Sequence, residues 1–262
     1  MLEKNEISPL LEFDAKSKPI VLPEGYDIYD SIGVKRKVQR CLITFFTEVV
    51  DQLERNFKIN QIFKMRVEAV RPRVYSMKVG DELIYVLPMP QGAPQAARML
   101  EMLSVRGVNK FMVCGGAGTL RDDITGDKTL VPISAIRDEG TSYHYLPPSR
   151  EVELNPKVLE VIERTLREEN EDYVKVKTWT TDAIFRETED KVALRKAEGC
   201  TVVEMECSAF YAVAQHKGLL CGQLLFAGDK VKKEGWDPRD WHNRTECRTK
   251  LFNLALKCLM NL

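Results

Sequence analysis

Apolar positions recur along the chain in two periods, and the change from one to the other marks its elements. Residues 202–217, VVEMECSAFYAVAQHK, begin with a β-branched pair. They then pass into helical spacing, with Met205, Ala209, Ala212, Val213 and His216 on one face. The spacing predicts a strand that hands over to a helix around Glu204 and Glu206. A stripe of Leu42, Phe45, Phe46, Val49, Val50, Leu53 and Phe57 predicts a first helix. A glycine-led turn opens a second helix over residues 92–107, and Pro156 starts a third through Leu159, Ile162 and Leu166. Residues 187–198 form a polar helix, and Leu251, Leu254, Ala255, Cys258, Leu259 and Leu262 line the last one. Strands are expected around residues 63–75, 83–87, 110–114, 129–137 and 173–180. A further strand, 224–227, ends in Gly228-Asp229.

Strands alternating with helices imply an α/β fold, a single-domain three-layer α/β/α arrangement around a wrapped, largely parallel mixed sheet. Residues 1–35 are polar and broken by Pro9, Pro19, Pro23, Gly25 and Gly33, and are read as an irregular N-terminal arm. No Gly-, Ser- or Pro-rich linker divides residues 36–262, so they are read as one domain.

Composition narrows the function. Lys and Arg total 39, as do Asp and Glu, so no global charge draws the chain to nucleic acid or an acidic membrane surface. No apolar run is long enough to span a bilayer, and the first residues are charged throughout, unlike a secretory signal. The seven cysteines include no CxxC pair. Cys114, Cys207 and Cys221 sit in apolar contexts and read as reduced, buried thiols of a cytoplasmic protein. With three histidines and no ligand spacing, no metal site is expected, and no cofactor.

The candidate chemistry lies at two expected strand ends. Glu204 and Glu206 start a helix, where the dipole favours carboxylates, and Asp229 follows the next apolar run. In an open α/β sheet ligands bind at the carboxyl ends of strands, so both carboxylate sets would face one crevice. Gly115-Gly116-Ala117-Gly118 reads as a turn able to present backbone N–H groups to an anion. Arg186 and Glu187 form a charged pair beside Ile184 and Phe185, and Phe185 is placed either to stack on a base or to fill the core.

Four segments, in order, resemble the nucleoside phosphorylases of the purine and uridine phosphorylase superfamily. They are GGAGTL from Gly115, EGTSYHYLP from Glu139, WTTDAIFRETED from Trp179, and VEMECSAFYAVA. The resemblance covers roughly residues 75–262 and implies cleavage of an N-glycosidic bond, with inorganic phosphate as co-substrate. It implies that Glu206 holds the ribose hydroxyls, that Met205 packs against the sugar, and that Glu204 lies by the base edge. Asp229 matches the acid that protonates a purine at N7. Arg186 falls where pyrimidine-cleaving relatives bind a base carbonyl. His144 falls in a loop near sugar and phosphate. The two base features point in opposite directions, and a purine is favoured over uridine. The resemblance also implies a homo-oligomer whose neighbour completes the pocket.

The chain departs from the phosphorylase pattern in one respect. Val113 and Gly116 stand where many phosphorylases carry an arginine and a hydroxyl residue, and there is no N-terminal Gly-Asp-x-x-Arg loop. Arg71, Arg73, Arg121 or a neighbour's basic residue could substitute. The leading reading is a nucleoside phosphorylase. A nucleosidase using water, or a non-catalytic nucleoside-binding protein, stays open. A dinucleotide-binding oxidoreductase is disfavoured because GGAGTL is not G-x-G-x-x-G.

Overall fold

A computed structural model describes residues 8–23, 28–29, 38–65, 72–124, 128–232 and 235–262. Arg71 and much of the expected arm lie outside the described residues. The strands are β1 (Ile28–Tyr29), β2 (Arg40–Thr44), β3 (Ile59–Met65), β4 (Arg73–Val79), β5 (Glu82–Pro88) and β6 (Lys110–Thr119). They continue with β7 (Thr129–Asp138), β8 (Glu151–Glu153), β9 (Tyr173–Thr181), β10 (Cys200–Glu204), β11 (Leu220–Lys232) and β12 (Gly235–Asp237). The helices are α1 (Thr47–Arg55), α2 (Ala93–Ser104), α3 (Pro156–Glu168), α4 (Glu189–Ala197), α5 (Cys207–Lys217) and α6 (Thr245–Asn261).

All strands join one mixed sheet in the order β1-β3-β4-β5-β2-β6-β10-β9-β7-β11-β12, with β8 on β7. β11 also pairs with β6, so β6, β10, β9, β7 and β11 close into a ring. Parallel pairs run through the middle of the sheet: β5–β2–β6, β6–β11, β10–β9 and β9–β7. The β1–β3–β4–β5 edge is antiparallel. Inside the ring Ala117, Leu130, Val176, Val202, Leu225 and Ala227 form a small core of their own. Outside it α2 packs on α5, while α6 lies against β2, β6 and β11 and touches α1 and α3. Cys114, Cys207 and Cys221 are buried and free, as expected from their apolar contexts. Among the described residues no helix is long and apolar enough to cross a membrane.

Several elements differ from the sequence expectation, and the one strand expected around 63–75 is two antiparallel strands, β3 and β4. Residues 40–44 are strand β2, not the start of the first helix. Cys41, Leu42 and Ile43 are all fully buried between parallel neighbours, and a doubly covered strand reads as a continuous apolar run that also fits a helical stripe. The helix keeps Val49 and Val50, while Phe57 is 89% exposed at a left-handed φ of 53° beyond its end. Residues 28–29, inside the expected irregular arm, add a short strand to β3. Gly115, Gly116 and Ala117 are not a turn but the interior of β6, in register with Leu225, Phe226 and Ala227.

Candidate active site

The two glutamates of the strand–helix junction have different tasks. β10 ends at Glu204 and α5 begins at Cys207, so Glu204 sits below the first amides of the helix. Its Oε2 accepts the N–H groups of Glu206 at 2.7 Å and Cys207 at 2.6 Å. Its Oε1 accepts the hydroxyls of Thr180 at 2.6 Å and Thr178 at 3.2 Å. An ionised carboxylate has about four acceptor positions, and all are taken. Burial pushes the Glu204 carboxyl up, and these hydrogen bonds pull against it. Glu204 is therefore the anchor of α5, and the base-edge contact expected of it is not what this geometry provides.

Glu206 is the N-cap residue of α5 and only 5% exposed. Its Oε1 accepts the N–H of Gly92 at 2.5 Å. Gly92 precedes α2 with a φ of 111°, so glycine suits the turn and the positive end of α2 faces the carboxyl. Burial, then the charge of Glu204, pushes Glu206 up to about 8. The link to Gly92 spans 114 residues and has no local signal in the sequence. Met205, between the two glutamates, is half-buried.

The loop after β7 is tied to the same helix. Glu139 accepts the N–H groups of Thr141 at 2.5 Å and Ser142 at 3.0 Å, and the hydroxyl of Ser208 on α5 at 2.9 Å. Asp182, after β9, accepts the N–H of Gly140 at 2.8 Å, and burial raises its carboxyl, with Glu139 and Asp138 adding to it. Buried Arg137 fills the loop from beneath, bonding Ser142 Oγ and Pro147 O and lying 4.3 Å from the Tyr143 ring centroid. His144 rides exposed on this loop, in the 3-10 turn Ser142–His144. Glu139, Asp182 and Ser208 are site-region residues that sequence reasoning missed. Their one visible signal is that they fall within or beside the quoted motifs.

Asp229 lies on β11, which does not end at Gly228 but runs on to Lys232 with a register slip between Ala227 and Lys230. Such bulges re-aim side chains and bend a strand. The Asp229 backbone carbonyl accepts the Thr119 hydroxyl at 3.2 Å, and its Oδ2 accepts the indole N–H of Trp236 at 2.6 Å. Gly118 makes room for it. A Cβ there would stand 3.4 Å from both Asp229 oxygens and 3.0 Å from Val203 Cγ1. Val203 pairs with Gly118 across β10 and β6, one residue before Glu204. Asp229 thus lies against Gly118, whose β10 partner directly precedes Glu204.

The remaining candidates are less engaged. In the 3-10 turn Ile184–Arg186, Phe185 is 96% exposed and Arg186 is exposed, with no ion pair joining it to Glu187. Phe185 does not fill the core. Glu187 is half-buried, and burial, then the charge of Asp229, pushes it up to about 7. The glycines of β6 serve close packing. A Cβ on Gly115 would stand 2.9 Å from the Phe45 ring, and one on Gly116 3.0 Å from the Phe226 ring. The expected anion-binding turn at Gly115, Gly116 and Ala117 is therefore replaced by a strand whose bare positions admit two aromatic rings. Val113 is fully buried, Arg73 pairs with Glu54 and Arg121 with Asp123. Among the described residues no three His, Cys, Asp or Glu side chains come together as metal ligands.

A ring of mixed strands with buried carboxylates where a strand meets a helix start defines an α/β protein built on a closed mixed sheet. Residues 40–259 match the phosphorylase superfamily, and the chain belongs to it. It is similar to a guanosine phosphorylase of Halorubrum lacusprofundi, 31% identical over 135 residues. That match covers 51% of this chain and spans about half, 55%, of the relative. Its fold resembles uridine phosphorylase from Vibrio fischeri, with a TM-score of 0.68 and 19% identity over 86% of this chain and 92% of that one. It also resembles AMP nucleosidase from Bacteroides thetaiotaomicron, with a TM-score of 0.67 and 19% identity over 84% and 86% of the two chains.

Proposed function

We propose that the protein cleaves the N-glycosidic bond of a ribonucleoside with phosphate, giving free base and ribose 1-phosphate, and that a purine is the preferred base. The observation that carries this reading is that the Asp229 carboxylate lies over the bare Gly118, whose β10 partner Val203 stands three residues before Glu206. As the C1′–N bond breaks, its electron pair leaves with the base and the sugar gains oxocarbenium character. Glu206 accepts from the ribose hydroxyls, and its bonds strengthen as the ring becomes cationic. Burial and Glu204 hold its carboxyl up at about 8, and positive charge developing on the sugar favours its ionised form. Asp229 meets the purine ring nitrogen, while Met205 lies against the sugar. Arg186, Phe185 and His144 are all exposed on the loops after β9 and β7, and in this reading Arg186 and Phe185 meet the base and His144 the sugar.

A second reading, hydrolysis by water, is favoured by one observation. Glu206, Glu139 and Asp182 crowd the sugar end with carboxylates, while Val113 stands at the arginine position and Arg121 is engaged by Asp123. A phosphate dianion there needs cations from elsewhere, which fits a neighbouring subunit in a homo-oligomer. Turnover of inosine, adenosine, guanosine, uridine and thymidine, each with and without phosphate, tests both readings. Ribose 1-phosphate formed only with phosphate supports phosphorolysis. Free ribose formed at the same rate without phosphate overturns it. Sedimentation at assay concentration tests the oligomer, and a fully active monomer rules it out.

A further inference from the structure

The helix that Glu206 caps is held from a second side. Ser208, the second residue of α5, is fully buried, and both of its polar groups are engaged. Its N–H donates to Thr180 Oγ1, on β9, at 3.1 Å. An amide can only donate, so the Thr180 oxygen is the acceptor there, and its own hydrogen goes to Glu204 Oε1 at 2.6 Å. The Ser208 hydroxyl points the other way and donates to Glu139 Oε1 at 2.9 Å. Glu139 is buried too, and its carboxylate also takes the N–H groups of Thr141 and Ser142. Ser208 thus joins the Glu204 anchor to the loop after β7, two residues from Glu206. Packing does not call for a serine at this place. Ala212, one turn further along the same face of α5, is equally buried with a bare methyl. A hydroxyl taken out of water costs free energy unless it is paired, so the bond to Glu139 is what accounts for it.

We propose that Ser208 and Glu139 are positioning residues that set the gap between Glu206 and the loop after β7, and that this gap decides how strongly a ribose is preferred over a 2′-deoxyribose. This deepens, and rests on, the reading in which Glu206 holds the ribose hydroxyls and the loop that carries His144 meets the sugar. A carboxylate and a hydroxyl bond over a narrow range of distance and angle. Glu206 therefore grips the 2′-hydroxyl when the loop across from it keeps the sugar in one place. Arg137 beneath the loop and Asp182 on the Gly140 N–H steady the loop itself. The Ser208–Glu139 bond fixes it to the first turn of α5. Ser208 is fully buried, so it acts through α5 and the loop and not by contact with the nucleoside.

The test compares kcat/KM for the fastest ribonucleoside of the panel above and for its 2′-deoxy counterpart, read as free base released. Wild type, Ser208→Ala, Glu139→Gln and the double variant are assayed, each with a melting curve. Ser208→Ala removes one oxygen and leaves a side chain that α5 already accepts at Ala212, and it decides the matter alone if Glu139→Gln does not fold. A misplaced sugar is expected to cost the ribonucleoside about tenfold or more in Ser208→Ala. The 2′-deoxy nucleoside has no 2′-hydroxyl to misplace and loses much less, so the preference shrinks. A fold that is merely weakened lowers both rates by the same factor and leaves their ratio alone. Residues that act as one unit are not additive, so the double variant shrinks the preference no further than Ser208→Ala does.

A ratio unchanged in Ser208→Ala, with Glu206→Ala inactive, overturns the proposal and leaves Glu206 as the ribose holder. Effects of the two substitutions that multiply in the double variant show separate roles and overturn the pairing. A wild type that cleaves both sugars equally, or Glu206→Ala that cleaves the ribonucleoside as well as wild type, removes the reading on which the proposal rests.

Discussion

Glu204 accepts the backbone N–H of Glu206 at 2.7 Å, so the first glutamate of the junction holds the second in place. One carboxylate is taken up in structure, which leaves its neighbour for the sugar-holding role proposed above. The division explains why the two, both buried, are not interchangeable.

Glu204→Ala is expected to destabilise the fold more than any other change in this region. It strands the amides of Glu206 and Cys207 and the hydroxyls of Thr178 and Thr180 in a dry interior. Leaving several buried donors unpaired costs ~3 kcal/mol or more. Urea denaturation measures it, and a loss below 1 kcal/mol, on the order of one ordinary hydrogen bond, contradicts the anchoring role.

Glu206→Ala is expected to abolish turnover while the protein stays folded. The bond to Gly92 is lost, but the helix keeps its Glu204 anchor. Losing charge-assisted bonds that tighten in the transition state raises the barrier by ~3 kcal/mol or more, over a hundredfold in rate. Near-normal turnover of a 2′-hydroxylated nucleoside, with unchanged circular dichroism, removes Glu206 from the mechanism.

Gly118→Ala places a methyl 3.0 Å from Val203 Cγ1 and 3.4 Å from both oxygens of Asp229. Val203 must give by a few tenths of an ångström while the methyl rests against the carboxylate, and a misplaced catalytic group loses about tenfold or more in rate. Purine nucleoside turnover should drop while the melting temperature changes little. Equal activity of the two proteins refutes the crowding argument.

The acid itself is tested by Asp229→Asn. Turnover of inosine or adenosine should fall by about two orders of magnitude, the usual contribution of a general acid. The effect should be much smaller on a nucleoside whose base leaves without N7 protonation. Preference of the wild type for uridine, with a harmless Asp229→Asn, transfers the leaving-group role to Arg186.

Stability of the ligand-free protein should decline as pH rises from about 4.5 to about 8. Glu206 has its folded value raised from the ordinary 4.5 to about 8, so the native state binds more protons than the unfolded chain across that window. Stability then falls with rising pH. Glu187, raised to about 7, acts in the same direction over the lower part of the window. Melting curves of Glu206→Gln should show a shallower slope between those limits. An identical slope in wild type and variant shows that Glu206 is not the titrating group.

The strand–helix handover was legible in the sequence because its two periods adjoin without a break, and β10 and α5 form where Val202-Val203 gives way to the alanine-rich helix. Pro156 likewise marks the start of α3, reinforced by Asn155, whose side chain accepts the N–H of Lys157. Residues 40–44 misled because a stripe of bulky apolar residues serves a doubly buried strand as well as a helix. The glycines of β6 misled because their partners, Phe45 and Phe226, lie about 70 and 110 positions away and only the fold brings them near. The link of Gly92 to Glu206, 114 residues away, was invisible for the same reason. A hydrogen bond between distant segments leaves no periodic trace.

The closing of the ring has a consequence for how the chain is made. β6 meets β2 on one side early, but its other long partner, β11, lies about 110 residues downstream, since Gly115 pairs with Leu225. At a synthesis rate of about 5–20 residues per second, the far edge of β6 waits roughly 5 to 20 seconds on the ribosome before its neighbour emerges. During that interval the apolar lining of the unfinished barrel faces solvent or a chaperone. Nascent chains stalled before residue 220 should therefore be protease-sensitive through β6, and those with residue 232 free of the ribosome should become resistant together with the end that carries Asp229.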